Sequence, residues 1–127
     1  MLMKTRLLFI IFALFMTCTV QAKRSGSENV SPIVAGDYVY TVPHWSTENG
    51  TSQNGGYIRV LDAKTGVEAW GVQVYNTEYD HNLEIDVQDV FISEIEINFW
   101  NTVLTVKDEL DRKYEIDLKT KKVQAIE

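Results

Sequence analysis

Residues 57–75 read YIRVLDAKTGVEAWGVQVY, and this stretch carries the clearest structural signal in the chain. Apolar and β-branched residues flank a short polar segment, which is the pattern of a β-hairpin. Asp62 opens the turn, where its carboxylate can accept hydrogen bonds from backbone N–H groups two or three residues further on. Gly66 closes the turn at a position that usually needs a positive φ. Trp70 follows on the return strand, where its large apolar body predicts a buried side chain.

The same hairpin resembles a known repeat. Val60, Asp62, Gly66 and Trp70 match the repeat motif of quinoprotein-type (PQQ) β-propellers, AxDxxxGKxxW, with valines at the alanine and lysine positions. In that family the motif tryptophans dock one blade against the next, and about eight blades surround the cofactor. The resemblance implies a propeller-like sheet with a binding role, in which Asp62, Gly66 and Trp70 are structural residues. It implies no cofactor in a chain of this length.

A weaker copy of the motif follows 55 residues later. The segment DLKTK at 117–121 resembles DAKTG at 62–66, with Lys121 in the place of the glycine and Ala125 in the place of the tryptophan. This echo predicts two related four-stranded units. Full propellers have typically four to eight blades, so two blades cannot close a ring alone. The alternatives are a two-sheet sandwich, a small open barrel, or a homo-oligomer that covers its sheet edges.

The remaining sequence also favours strands, because no segment has a sustained 3.6-residue period. Residues 83–98 alternate apolar and acidic side chains over a long run, which predicts a half-buried strand. We therefore expect one all-β domain over residues 37–127, with about seven to eight antiparallel strands and at most a short helix near residues 77–82. Residues 44–56 are rich in Gly, Asn, Ser and Thr and predict a long loop.

The first 22 residues predict export. Lys4 and Arg6 precede an apolar run, and Val20-Gln21-Ala22 has the small-residue spacing that signal peptidase prefers. An uncleaved anchor is the alternative, although the apolar run is short for a bilayer span. Lipidation at Cys18 is a further alternative. The expected mature protein is periplasmic or secreted, has no membrane segment after cleavage, and begins with a flexible leader over residues 23–36.

Composition excludes several chemistries. Cys18 is the only cysteine and lies in the predicted signal peptide, which leaves no thiol for catalysis, a disulfide or a thiolate metal site. Without Lys4 and Arg6, 10 basic residues face 18 acidic ones, a formal charge of −8 that disfavours nucleic acid. His44 and His81 lie in no recognisable catalytic or metal motif. We expect no catalytic residue, no bound metal and no cofactor, and therefore no enzyme.

The acidic residues are concentrated in the middle of the chain. Eight of them lie between Lys64 and Lys107, an interval without Lys or Arg. A solvated sheet face is one interpretation, a docking surface for a basic protein is another, and a divalent cation on Asp80 and His81 with a neighbouring acid is a third. The docking hypothesis has its centre at the acidic residues Glu78, Asp80, Glu84, Asp86 and Asp89. Its apolar anchors, which can supply tight binding, are Trp45 and Trp100.

Trp45 has two interpretations: it folds back onto the core, or it is an exposed anchor. Glu84 and Asp86 are two positions apart, so in a strand their side chains would point to the same face. Three functions remain open. The first is an immunity or inhibitor protein that neutralises a basic toxin or envelope-acting enzyme. The second is a non-enzymatic envelope scaffold or accessory module. The third is a small carbohydrate-binding or hydrolase domain.

Overall fold

The computed structural model of the chain describes residues 28–126, and within them eight antiparallel strands form two four-stranded sheets. The first sheet has the order β1 (Ile33–Ala35), β2 (Tyr38–Thr41), β3 (Tyr57–Asp62) and β4 (Glu68–Gln73). The second has the order β5 (Ile92–Ile97), β6 (Val103–Asp108), β7 (Lys113–Asp117) and β8 (Val123–Ile126). The predicted all-β antiparallel fold is confirmed, and the two sheets pack as a small sandwich that does not close into a barrel.

The first strand begins before the expected start of the β domain. Ile33–Ala35 pairs with β2, with Ile33 opposite Tyr40 and Ala35 opposite Tyr38. The flexible leader predicted over residues 23–36 is therefore wrong for its last residues, because Ile33 and Ala35 gain both a strand partner and contact with the core. The predicted signal peptide, Cys18 and residues 23–27 lie outside the described residues.

One hydrophobic core lies between the sheets. Side chains in β3, β6 and β7 alternate between buried and more exposed positions, as the two faces of a strand require. The core joins side chains of both sheets in one cluster, whose buried members are Tyr40, Ile58, Val60, Val74, Tyr75, Ile92, Ile95, Leu104, Val106, Tyr114 and Ile116. Burial of this apolar surface is the main force that holds the two sheets together.

Two hairpin turns, 55 residues apart, have the same hydrogen bonds. The Asp62 carboxylate accepts from the backbone N–H groups of Lys64 and Thr65 at 2.9 and 3.0 Å. The Asp117 carboxylate accepts from the two equivalent N–H groups at the same two distances. Gly66 has φ 72° and Lys121, at the equivalent position, has φ 62°. The positive φ at Gly66 explains the glycine, and the second turn accepts a lysine in the same conformation.

The two sheets are stacked head to tail, which means that the sequence-equivalent faces of the two sheets point in the same direction. Ile58 and Val60 are buried against the second sheet, whereas residues 55 positions later, Lys113 and Glu115, are exposed on the outer face of that sheet. The inner face of the first sheet is thus equivalent to the outer face of the second. A face-to-face sandwich with a two-fold axis would place equivalent residues on both inner faces, and this one does not.

Trp70 joins the two sheets. The register between β3 and β4 shifts between Val60 and Leu61, where Val60 pairs with Trp70 but Leu61 pairs with Glu68. This bulge directs the Trp70 ring to the inner side, where the ring is partly buried against the core and 5.2 Å from the Lys121 ammonium of the second sheet. The second sheet has no bulge at this place.

The predicted strand over residues 83–98 is wrong in its first half. Only Ile92–Ile97 forms a strand, whereas Asp86–Gln88 is a short 3₁₀ turn. The sequence predicts at most a short helix near residues 77–82 and none forms there; the 3₁₀ turns of the described residues lie at Ser46–Asn49 and Asp86–Gln88. Apolar–polar alternation in residues 83–87 does not make a strand here because this segment has no hydrogen-bonded strand partner.

Replacing Trp70 by alanine tests its role between the sheets. Trp70→Ala should lower the free energy of unfolding by about 3 kcal/mol, near the lower end for a truncated core aromatic because the ring is only partly buried. Urea unfolding measures the loss. Trp100→Ala is the control, since Trp100 is exposed and should change stability by less than about 0.5 kcal/mol. Equal losses in the two variants would contradict the role of Trp70.

The aspartate turns predict an acid-sensitive stability. Backbone hydrogen bonds from Thr65 and Thr120 hold the pKa values of Asp62 and Asp117 below the usual 3.8. A lowered folded-state pKa stabilises the protein above the unfolded pKa, and this stabilisation is lost as the pH falls through the folded pKa. Stability should therefore fall below about pH 4, and less steeply in Asp62→Asn/Asp117→Asn. Glu84→Gln/Asp86→Asn is the charge-matched control, and an identical slope in both double variants would refute the assignment.

Candidate protein-binding site

The segment between β4 and β5, residues 74–91, is the candidate site and is called the connecting loop below. Four of its acidic side chains are exposed: Glu78, Asp80, Glu84 and Asp86. None of the four takes part in an ion pair among the described residues. Because no Lys or Arg lies between Lys64 and Lys107, these carboxylates have no lysine or arginine counter-charge nearby in sequence, and their negative field is directed at solvent.

The connecting loop also exposes apolar side chains. Leu83, Ile85 and Val87 are 57%, 58% and 49% exposed. The sequence pattern predicts these three residues on the buried side of a strand, and the structure places them at the surface beside the acids. Exposed aliphatic side chains grouped in one segment are a recurrent feature of interaction surfaces. A solvated polar face alone does not account for this segment.

Gln88 organises the loop. Its side-chain amide donates to the backbone carbonyls of Asp80 and Glu84 at 2.9 and 3.0 Å, and to that of Leu83 at 3.3 Å. Its carbonyl oxygen accepts from the Asp80 N–H at 2.6 Å. One side chain thus ties four backbone groups of the loop together, and the acids and aliphatic residues are presented from an ordered backbone. Nothing in the local sequence pattern singles out this glutamine.

Asp89 does not belong to the exposed acidic group. It is 3% exposed, and its carboxylate accepts a hydrogen bond of 2.6 Å from the Tyr79 hydroxyl. Burial, followed by this hydrogen bond, raises the pKa of Tyr79 to about 12. The tyrosine therefore remains a donor at physiological pH. The prediction that Asp89 contributes to a docking surface is wrong, because its side chain fixes the base of the loop.

The two candidate tryptophans lie in different places. Trp45 is 48% exposed and its ring packs edge-on against Phe91, the last residue of the connecting loop, with 5.3 Å between ring centroids. Both interpretations of Trp45 therefore apply in part, because its ring packs on the buried Phe91 ring and is also about half exposed to solvent. Trp100 lies in the β5–β6 turn, whereas the connecting loop enters β5 at its other end. Trp45 therefore accompanies the acidic loop, and Trp100 does not.

The long loop that carries Trp45 is held by buried polar groups. Ser46 donates to the Gln53 carbonyl at 2.8 Å, and the Gln53 amide donates to the carbonyls of Gly55 and Tyr75. The Gln53 side-chain oxygen accepts from the Thr77 N–H, at the start of the connecting loop, at 2.9 Å. These bonds attach the Trp45 loop to the connecting loop. Composition alone predicts a loop in this region but not these contacts.

The opposite side of the connecting loop rests on a buried charged turn. Asp108 is fully buried and accepts from the Leu110 and Arg112 N–H groups, from Arg112 Nε at 2.7 Å and from the Tyr114 hydroxyl at 3.3 Å. The hydrogen bond to Asp108 raises the pKa of Arg112. Tyr75 stacks on Tyr114 at 5.2 Å and donates to the Val90 carbonyl. At the other end of the loop, the Phe91 carbonyl accepts from the Glu109 N–H at 3.0 Å, so both ends are anchored to the second sheet.

Neither protein families nor curated protein sequences provide a relative of this chain, since no family model and no curated protein matches it. The described residues contain no group of three or more His, Cys, Asp or Glu side chains placed to hold a metal ion. Within residues 28–126, no helix has the length and apolar character that a membrane crossing requires. The arrangement of the connecting loop is therefore the basis for a functional proposal.

Replacing Asp89 separates the structural acid from the exposed ones. Asp89→Ala removes the acceptor of the Tyr79 hydroxyl and should lower the free energy of unfolding by about 1–3 kcal/mol. Asp86→Ala is the matched control, because Asp86 is exposed and should change stability by less than about 0.5 kcal/mol. Thermal unfolding of both variants gives the comparison. Similar melting temperatures for the two would mean that Asp89 does not anchor the loop.

Proposed function

We propose that this chain is a small exported acidic binding protein of the immunity or inhibitor type, which neutralises a basic toxin or envelope-acting enzyme. The observation that carries the proposal is the connecting loop, in which exposed acids and exposed aliphatic side chains lie together on a backbone fixed by Gln88. Such a surface fits a basic protein cleft bordered by apolar residues. The proposed role is binding rather than catalysis, and it requires neither a metal nor a cofactor.

The two kinds of side chain have different roles in this proposal. Unpaired carboxylates such as Glu84 and Asp86 speed the encounter with a cationic partner, and this steering weakens as salt increases. Charge alone rarely gives tight binding, so a buried apolar anchor is also needed. Leu83, Ile85 and the exposed side of Trp45 supply that surface. Because the loop is already ordered by hydrogen bonds, little conformational entropy is lost when it binds.

A second candidate function is a non-enzymatic scaffold or accessory module of the cell envelope. The observation that favours it is the head-to-tail stacking of the two sheets, since this relation can be extended by adding further sheets to an outer face. The Trp70 contact with Lys121 resembles the way in which propeller blades dock on one another. In this case the partner would contact a sheet edge or an outer face rather than the connecting loop.

Site-specific cross-linking distinguishes the two candidates. A photo-reactive amino acid at Val87, in the connecting loop, should capture a basic partner in cells that express the protein. The same group at Val34, which is 71% exposed on edge strand β1, is the control. Capture from position 34 alone would favour the scaffold over the inhibitor.

Charge reversal then tests the steering by the loop acids. Glu84→Lys/Asp86→Lys should slow association with the captured partner about ten-fold or more at low salt, because steered association falls steeply when the attracting charges are removed. The melting temperature should stay nearly unchanged. Association rates are measured by stopped flow over a salt series.

The control for this experiment is Glu96→Lys/Glu115→Lys, which makes the same change in net charge on the outer face of the second sheet. Both glutamates lie opposite Thr105 on neighbouring strands and are exposed. This variant should associate nearly as fast as the wild type. Equal slowing by the two double variants would show that only the net charge matters, and the connecting loop would then lose its role.

A further inference from the structure

A second surface lies at the other end of the second sheet. The β1–β2 turn, the β5–β6 turn and the start of the β7–β8 turn enclose a cleft of about 300 Å³ between the two sheets. The connecting loop enters β5 at Ile92, and this cleft adjoins the turn that follows the last residue of the same strand, Ile97. The polar and aromatic groups of the cleft come from six residues: Asp37, Tyr38, Tyr40, Asn101, Thr102 and Lys119.

Tyr40 is the most unusual group in the cleft. Its side chain is 4% exposed, and its hydroxyl forms none of the hydrogen bonds found among the described residues. The hydroxyls of Tyr75, Tyr79 and Tyr114, which are also buried or partly buried, all donate to a protein acceptor. The buried side-chain atoms that lack a partner among the described residues do not include this hydroxyl, so it is open to solvent. A solvent-accessible hydroxyl without a protein partner, in a residue that lines the cleft, is available to a ligand.

The cleft has balanced charge and many neutral polar groups. Asp37 and Lys119 provide one negative and one positive charge, and neither takes part in an ion pair among the described residues. Asn101 and Thr102 add an amide and a hydroxyl. An anionic or a cationic ligand would meet one favourable and one unfavourable charge, whereas a neutral ligand rich in hydroxyl groups can use both as hydrogen-bonding partners.

Two exposed aromatic residues precede the cleft residues in the β5–β6 turn. Phe99 and Trp100 are 88% and 75% exposed, and their rings are in edge-to-face contact with 5.0 Å between centroids. Asn98 fixes the turn, because its side-chain oxygen accepts from the Thr102 and Val103 N–H groups at 2.8 and 3.0 Å. The aromatic pair is therefore presented by an ordered turn that leads directly into Asn101 of the cleft.

We propose that this cleft is a binding site for a neutral saccharide. A pyranose ring offers hydroxyl groups at its rim and an apolar C–H surface on its face. The hydroxyl groups match Tyr40, Asp37, Asn101 and Lys119, and the apolar face matches the aromatic ring of Tyr38. The cleft volume of about 300 Å³ accommodates one or two sugar units, and the Phe99–Trp100 pair extends the site for a further one. A purely hydrophobic partner would leave these polar groups unpaired, at an energetic cost.

The test measures binding of four neutral trisaccharides: maltotriose, cellotriose, triacetylchitotriose and mannotriose. Isothermal titration calorimetry with the full mature chain should show binding of at least one of them with a Kd between about 10 μM and 1 mM, the range of a small and open site. The tryptophan fluorescence should change on titration. Failure of all four to bind at 10 times the upper limit of this range would overturn the proposal.

Variants locate the binding. Tyr40→Phe keeps the ring and removes a hydroxyl without a protein partner, so the fold should be retained while the Kd rises about five-fold or more. Trp100→Ala, in which an exposed ring is removed, should raise the Kd about ten-fold. Trp45→Ala and Glu84→Lys/Asp86→Lys are controls that should leave the Kd unchanged, because they alter the connecting-loop surface. Unchanged affinity in both Tyr40→Phe and Trp100→Ala would place the saccharide elsewhere and overturn the proposal.

A lipid or protein partner for the aromatic turn is the competing outcome. Phosphatidylcholine vesicles test the first, because Trp side chains favour the membrane interface. If vesicle binding is lost in Phe99→Ala/Trp100→Ala and is insensitive to Tyr40→Phe, and no trisaccharide binds, the turn serves a membrane surface and the saccharide assignment is wrong. Saccharide binding that survives Glu84→Lys/Asp86→Lys while partner association fails would show that the two surfaces are independent.

Discussion

Three hairpin turns of this fold are closed by an aspartate side chain, and the registers of both sheets depend on them. Asp62, Asp108 and Asp117 each end a strand and accept backbone N–H groups from the residues that follow. A turn closed in this way fixes which residues face each other across the hairpin, and a slip of one residue would move every apolar side chain to the solvent face. Asp108 adds a second function, because it is buried and binds Arg112 and Tyr114. The turn that it closes is thereby joined to the core.

The local signals in the sequence are sufficient to predict the hairpins but not the conformation of the connecting loop. Asp62 and Gly66 determine a turn through their own backbone contacts, so a short window of sequence contains the whole cause. Residues 83–87 have the alternation of a strand, but a strand also needs a partner, and none is available at this place. The loop is shaped by the Gln88 amide and by the Tyr79–Asp89 hydrogen bond. These contacts join residues four or more positions apart and leave no periodic signal in the sequence.

The same distinction applies to the candidate sites. An excess of acids in the middle of the chain is visible in the composition, and four of the five predicted acidic residues are exposed in one loop. The burial of Asp89, the exposure of Leu83 and Ile85, and the contact of Trp45 with Phe91 all depend on tertiary structure. The sequence gives no reason to separate Trp100 from the acids, because it does not show how far apart they lie. The length of β5 separates them, since six residues of strand span roughly 20 Å.

Head-to-tail stacking gives the two outer faces of the sandwich different characters. The outer face of the second sheet carries Glu94, Glu96, Lys107, Lys113 and Glu115, and Lys107 lies 3.5 Å from Glu94. A face covered with charge ends a stack of sheets, as the polar outer face of a terminal repeat does. The outer face of the first sheet is less polar, because Val39 and Leu61 lie opposite each other there. This face is equivalent by the 55-residue offset to the inner face of the second sheet, which is buried. An additional sheet that joined the stack would therefore pack on the first sheet, whereas the charged face of the second sheet would stay in water.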